Sequence, residues 1–185
     1  DEVSLTLEPG TPFATRVADG RMPAPDEDRL ADLFLLTDHL LSAAGFEHYE
    51  VSNFARPGRR SRHNARYWTG VPYVGLGPAA HSFAGNVRRW NASNLDGWLA
   101  GLVPGASPTG GWETLSPAQR ALETLALGLR TSDGIPEDRV GALAARDGTP
   151  ARLVAEGLLR RRDGRLLPTP RGMGVADAMA RALAD

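Results

Sequence analysis

Two short stretches hold the residue types best able to do chemistry. The first is His63-Asn64-Ala65-Arg66-Tyr67-Trp68, an imidazole followed one helical turn later by two aromatic rings. A neutral imidazole nitrogen can ligate iron, and aromatic rings can lie against a flat macrocycle. On a helix, His63 and Tyr67 are i, i+4 neighbours and share a face. A structural reading competes: His63 and Asn64 cap or bridge backbone groups while Tyr67 and Trp68 fill the core.

The second stretch is Gly75-Leu76-Gly77-Pro78-Ala79-Ala80-His81-Ser82. Small residues after a strand let backbone approach a bound cofactor, and open amides can meet a carboxylate or phosphate. In parallel α/β barrels, ligands sit where strands end and loops begin. It is not a phosphate-binding P-loop, because the Lys-[Ser/Thr] pair and the spacing are missing. A tight turn that needs glycine is the alternative.

Elsewhere the candidates thin out. Arg160, Arg161 and Arg162 beside a hairpin have the form of a basic wing for nucleic acid, but Asp163, Glu156 and Asp177 lie close by and favour a solvated face. His39 falls on the polar side of its helix, and His48 sits in a strand with no obvious partner. No Ser/His/Asp set, carboxylate pair or metal-spaced cluster stands out.

The elements that must position these residues fall into three blocks. In residues 1–54, Val3, Leu5 and Leu7 alternate with Ser4 and Thr6 as a strand does, until Glu8-Pro9-Gly10-Thr11-Pro12 stops the ladder. A helix opens at Asp26, Glu27 and Asp28, acidic residues suited to its positive end. Leu30, Leu33, Phe34, Leu40, Leu41 and Ala44 give it one apolar face, and Gly45 ends it. Phe46 to Phe54 then returns as a strand, so that strand, helix and strand make a parallel β-α-β unit.

Residues 55–103 are less regular and rich in aromatic rings, with an apolar strand expected from Val71 to Phe83. The Gly/Pro-rich stretch 101–111 is the best linker. Beyond it, Ser116-Pro117-Ala118-Gln119 carries a capping-box signal. Ala118, Ala121, Leu122, Leu125, Ala126 and Leu129 mark the buried face of that helix. Two short helices follow, from Pro136 to Arg146 and from Thr149 to Glu156. Asp163-Gly164 marks a hairpin between Leu158–Arg162 and Arg165–Leu167. Thr169-Pro170 opens a last helix facing inward through Met173, Ala176, Ala180 and Leu183. Helix, helix, hairpin, helix is the outline of a winged-helix module.

Composition bounds the rest. The 185 residues are 42% apolar and 23% charged, which predicts a packed core. A formal net charge of −1 supplies no global basic field for nucleic acid or anionic lipid. No run of apolar residues is long enough to span a bilayer. The absence of cysteine excludes disulfides and thiolate ligation within these residues and fits a cytoplasmic setting. The opening at Asp1, without a leader pattern, reads as a chain cut in from something longer.

Several stretches together resemble one family. Ser4-Leu5-Thr6-Leu7-Glu8-Pro9-Gly10-Thr11-Pro12 resembles its "SLTLEPGTP" strand and loop, and Gly45 to Gly58 its "GYEHYEISNFARPG" segment. His63-Asn64 with Tyr67-Trp68 carries "HNxxYW", Gly75 to Ser82 resembles "GLGPGAHS", and Leu127 to Thr131 resembles "LGLRT". The order is right along nearly the whole chain. The family is that of radical-SAM proteins of the HemW/HemN type, and the motifs favour the HemW branch.

The resemblance implies an α/β fold: part of a radical-SAM (β/α)6 barrel in residues 1–103, then a mainly helical, winged-helix-like domain in 112–185. It implies a heme chaperone that binds heme and passes it to an acceptor protein. The alternative is an oxygen-independent coproporphyrinogen III oxidase. Heme contacts carry over to His63, Asn64, Tyr67 and Trp68, and S-adenosylmethionine contacts to Leu7 and His81. The family's [4Fe-4S] cluster is held by a CxxxCxxC motif that this chain lacks, so the cluster and S-adenosylmethionine chemistry are implied for a full-length protein only. Half a barrel leaves an open sheet edge where the N-terminal half is missing. Ala79 replaces a frequent family glycine, which is tolerable if its φ is negative.

Overall fold

Glycine, proline and capping residues divide the chain into short elements. A computed structural model describes residues 7–143 and 148–184. The expected first strand therefore lies, apart from Leu7, outside the described residues. Helix α1 (Pro12–Ala18) starts where Thr11 accepts from the Ala14 amide and Pro12 needs no partner for its nitrogen. Helix α2 (Glu27–Ala43) is capped by Asp26, whose carboxylate accepts from the Arg29 amide. It closes as expected, with Gly45 at φ +82°.

The apolar face of α2 is only partly covered. Leu33, Leu36 and Leu40 remain 44%, 50% and 57% exposed, which corrects the expectation of a one-sided buried helix. The segment Phe46–Phe54 is also not one strand. It is a hairpin of β1 (Glu47–Glu50) and β2 (Asn53–Ala55), paired antiparallel, with its register broken between His48 and Glu50. All strand pairs among the described residues are antiparallel, so the expected parallel pairing is not among them.

His48, expected to lack a partner, has one. Its Nδ1 donates to Asp38 on α2 at 2.9 Å, and its ring stacks on Phe54 at 4.1 Å. Glu50 is 1% exposed and accepts from the Ser52 amide at 3.2 Å and from the Asn53 side chain. That carboxylate holds the hairpin turn closed from within.

Helix α3 (Arg62–Trp68) follows, and then β3 (His81–Ala84), β4 (Val87–Asn91), α4 (Leu95–Ala100) and β5 (Thr109–Thr114). The strands form an antiparallel meander, β3-β4-β5. The expected strand from Val71 to Phe83 is reduced to a bridge from Tyr73 to Phe83 plus β3, and Thr109–Gly111 of the glycine-rich stretch belongs to β5. Arg88 ties this meander to the next helix, pairing with Glu113 at 2.9 Å and with Glu123. Burial opposes the charged guanidinium, yet Glu123 and Glu113 outweigh it and raise the Arg88 pKa.

Helix α5 (Pro117–Leu129) opens with the full capping box between Ser116 and Gln119. The elements that follow are β6 (Ile135–Pro136), α6 (Glu137–Leu143), α7 (Thr149–Ala155), β7 (Leu159–Arg162) and β8 (Arg165–Pro168). The part of the expected helix at 144–146 lies outside the described residues. Asp163 and Gly164 both take positive φ, at 51° and 69°, which the two-residue hairpin turn requires. The last helix is two: α8 (Pro170–Gly174) and α9 (Ala176–Ala184), broken at Val175 where φ leaves the helical range for −123°.

The main core lies here. Helix α5 packs on α9, and Leu125, Leu129 and Leu183 are fully buried between them and the β6-β8-β7 sheet. Each buried leucine of this kind contributes about 1.5–3 kcal/mol. Ala118, expected on the buried face of α5, is exposed at its first turn, while the rest of that face is buried or half-buried. Helices against a three-stranded sheet with a β7–β8 wing give the winged-helix outline. A mostly apolar cleft of about 710 Å³ runs between α2, the β1–β2 hairpin and α8, with Phe34, Phe54, Val175 and Arg171 in its walls.

Candidate functional site

Helix α3 presents the first stretch. Its cap is Ser61, whose hydroxyl accepts from the Asn64 amide at 3.3 Å, so His63 and Asn64 are not needed as caps. His63 is exposed and Tyr67 is 42% exposed. The Tyr67 hydroxyl lies 3.3 Å from His63 Nε2 and donates to it when Nδ1 carries the ring proton. The two rings meet edge to face, with centroids 5.1 Å apart at 86°.

The contact continues inward. Tyr67 meets Tyr73 at 4.9 Å and 75°, and Tyr73 meets Phe83 at 6.3 Å. Phe83 is buried, with the Arg120 guanidinium 4.7 Å from its ring centre. A row of rings thus runs from an exposed imidazole to the β3-β4-β5 sheet. Tyr73 and Phe83 were missed in the sequence, where an isolated Val-Pro-Tyr-Val carries no periodic signal. Trp68 turns away from this exposure: its Nε1, at the end of α3, is buried with no hydrogen-bond partner among the described residues. Asn64 is half-buried in the first turn.

The glycine-rich stretch is a tight turn rather than an open cradle. The Gly75 amide donates to Ser82 Oγ at 3.0 Å, the Ala79 amide to the Ala92 carbonyl at 2.9 Å, and Ala80 to Gly77 at 3.4 Å. Asn91 Nδ2 donates to the Gly77 carbonyl at 2.8 Å. A Cβ at Gly75 would stand 2.1 Å from the His81 carbonyl oxygen, so the return of the chain over this residue requires glycine. Ala79 takes φ +56°, so the condition under which alanine is readily tolerated there, a negative φ, is not met.

His81 is exposed on β3, its ring 5.8 Å from that of Trp90. Alternation on the strand puts it on the same side as Phe83, two residues on. Leu7 is half-buried at the start of the described residues, and no hydrogen bond joins it to His81 among them.

The sequence resemblance is borne out by comparison with known proteins. Residues 115–175 match the HemN C-terminal domain. The heme chaperone HemW of Mycobacterium tuberculosis (strain H37Rv) is 42% identical over 180 residues, covering 97% of this chain and 46% of that protein. The chain belongs to the HemW/HemN family of radical-SAM proteins. The HemW of Synechocystis is 39% identical over 71% of the HemW-like chain and 32% of its own length. Among solved structures, coproporphyrinogen III oxidase (HemN) from Escherichia coli superposes with a TM-score of 0.59 at 15% identity, over 86% of this chain and 42% of that one. The HemW-like chain therefore shares a mixed α/β fold with HemN and spans about half the length of the first curated relatives it matches.

An iron–sulfur cluster does not fit these residues. Such clusters are held by cysteine thiolates, and the HemW-like chain has none. Among the described residues there is also no group of three His, Cys, Asp or Glu arranged to hold a metal. No helix of the described residues is long and apolar enough to cross a membrane.

Proposed function

We propose that this chain is the heme-handling part of a heme chaperone of the HemW type, working in the cytoplasm and passing heme to an acceptor protein. The observation that carries the reading is its 42% identity, over 97% of its length, to a heme chaperone HemW. The geometry of α3 supports it. An exposed imidazole backed by a row of rings offers an iron ligand beside an aromatic surface.

In this reading heme is cargo. His63 ligates the iron through Nε2, Tyr67 supplies a ring edge next to it, Asn64 borders the site in the same turn, and Trp68, with its Nε1 buried, braces α3 beneath it. Ligation through Nε2 displaces the hydroxyl of Tyr67, whose hydrogen bond of 3.3 Å is long. The same displacement offers release: when Tyr67 recovers the imidazole, the iron loses its ligand to the acceptor. Leu7 and His81 are proposed as contacts for S-adenosylmethionine in the complete protein, where the cluster would be supplied by residues outside this chain. The charge balance argues against nucleic acid as the partner.

Heme titrated into the chain and its His63→Ala variant tests this through the Soret band. Loss of a defined bound spectrum in the variant is the expected result. An unchanged spectrum would remove His63 from the site and leave the motif a structural one.

A further inference from the structure

Between the β7–β8 wing and the β1–β2 hairpin lies a second cleft, of about 580 Å³, separate from α3. Its walls include Arg60, Ser132, Arg160, Arg162 and Arg165. The pairing register explains why these arginines gather. Arg160 lies opposite Leu167 and Arg162 opposite Arg165, so all four side chains share one face of the wing. Arg161 falls on the other face, where its Nε pairs with Glu137 at 3.3 Å. The three-arginine run is thereby split by the strand, two into the cleft and one away from it.

The cleft's positive charge is incompletely matched. Arg60 is engaged by Glu47 at 3.0 Å and by Asp133 at 2.8 Å, and the bond to Asp133 raises its pKa. Arg165 donates to the Asp133 and Gly134 carbonyls at 2.7 and 3.0 Å, which are neutral partners. Among the described residues, Arg162 pairs only with its neighbour Asp163, at 3.3 Å and largely in solvent. Arg160 has no ion pair among the described residues. Like charges directly opposite on a sheet are destabilising, so Arg162 facing Arg165 favours an anion between them. Ser132, also in the wall, has a buried hydroxyl without a hydrogen-bond partner among the described residues.

We propose that this cleft is an oxyanion site, in which Arg160 and Arg162 take a phosphate or carboxylate group. Alternate residues of a strand stand about 6.8 Å apart, within the reach of two long side chains closing on one group. Each guanidinium carries a planar fork of donors that matches the oxygens of either group. A long nucleic acid is the poorer occupant, because Arg161 is turned away and the chain's net charge is −1.

The test is a titration of the chain with inorganic phosphate and, separately, succinate at constant ionic strength. It is followed by the nitrogen-15 shifts of the arginine Nε groups. Saturable shifts at Arg160 and Arg162 are expected, with binding about tenfold weaker in Arg160→Gln and in Arg162→Gln. Arg161→Gln, which removes the same charge from the other face, should bind as the parent does. The stronger probe of the two identifies the group. Three outcomes would overturn the site. One is the absence of saturation, and another is equal weakening by Arg161→Gln. The third is tight binding of duplex DNA that all three substitutions reduce alike.

Discussion

The backbone amide of Val51 donates to the carbonyl of Arg130 at 2.8 Å, and two residues away on each segment the Ser132 amide donates to the Tyr49 carbonyl at 3.0 Å. These bonds join the turn of the β1–β2 hairpin to the end of α5. Two of the family-like segments, Gly45 to Gly58 and Leu127 to Thr131, therefore meet in space next to Ser132, and the junction is backbone pairing rather than a loose contact. Glu50, the last residue of β1, braces that turn through its carboxylate, which accepts from the Ser52 amide and the Asn53 side chain.

Glu50→Ala would empty a buried position and leave the Ser52 amide and the half-buried Asn53 side chain without the carboxylate that accepts from them. A loss of about 2 kcal/mol is expected, measured as a lower midpoint in urea denaturation. A change under about 0.5 kcal/mol, the size of an ordinary surface substitution, would show that the turn does not need the carboxylate.

The glycine-rich turn makes a paired prediction. Ala79 carries left-handed strain of about 1 kcal/mol, so Ala79→Gly should stabilise by about 0.5 kcal/mol after the added entropy of the unfolded chain. Gly75→Ala should do the reverse and far more strongly, since the new methyl meets the His81 carbonyl. Thermal melts of the two variants in parallel decide it. A destabilised Ala79→Gly would mean that the positive φ is not strained.

In the α5–α9 core, Leu129→Ala removes a fully buried side chain whose neighbours are held by a sheet and two helices. The expected cost is about 2–5 kcal/mol, read from calorimetry, and Leu129→Met should cost under about 1.5 kcal/mol.

Under the heme reading, Tyr67→Phe keeps the ring but frees His63 Nε2 from the hydroxyl. Heme affinity should rise by roughly threefold, since a net hydrogen bond of about 0.5–1.5 kcal/mol no longer competes with the iron. A fall in affinity would mean that the hydroxyl orients the imidazole for ligation instead.

Parts of this structure are legible in the sequence because they rest on local chemistry. The capping box at Ser116, the Asp163-Gly164 turn and the glycine stop at Gly45 each need only neighbouring residues to form. The β3-β4-β5 meander was not legible. Its strand β4, Val-Arg-Arg-Trp-Asn, hides its alternation behind arginines, one of which is turned inward to Glu113 and Glu123. The single strand expected over Phe46–Phe54 failed for a similar reason. Its apolar residues favour extended backbone throughout, and only Glu50, acting from a buried position, folds Val51-Ser52 into a turn. At the candidate site, the i, i+4 relation of His63 and Tyr67 was readable from spacing. Tyr73 and Phe83, which continue the row, arrive through a long-range bridge that no spacing encodes.

The ring row has an optical consequence. Two of the chain's three tyrosines, Tyr67 and Tyr73, stand edge to face in a fixed arrangement. Asymmetrically held rings of this kind give near-ultraviolet circular dichroism that vanishes when packing loosens. The chain thus carries its own chromophores at α3, and any molecule that moves Tyr67 will announce itself in that band without a label.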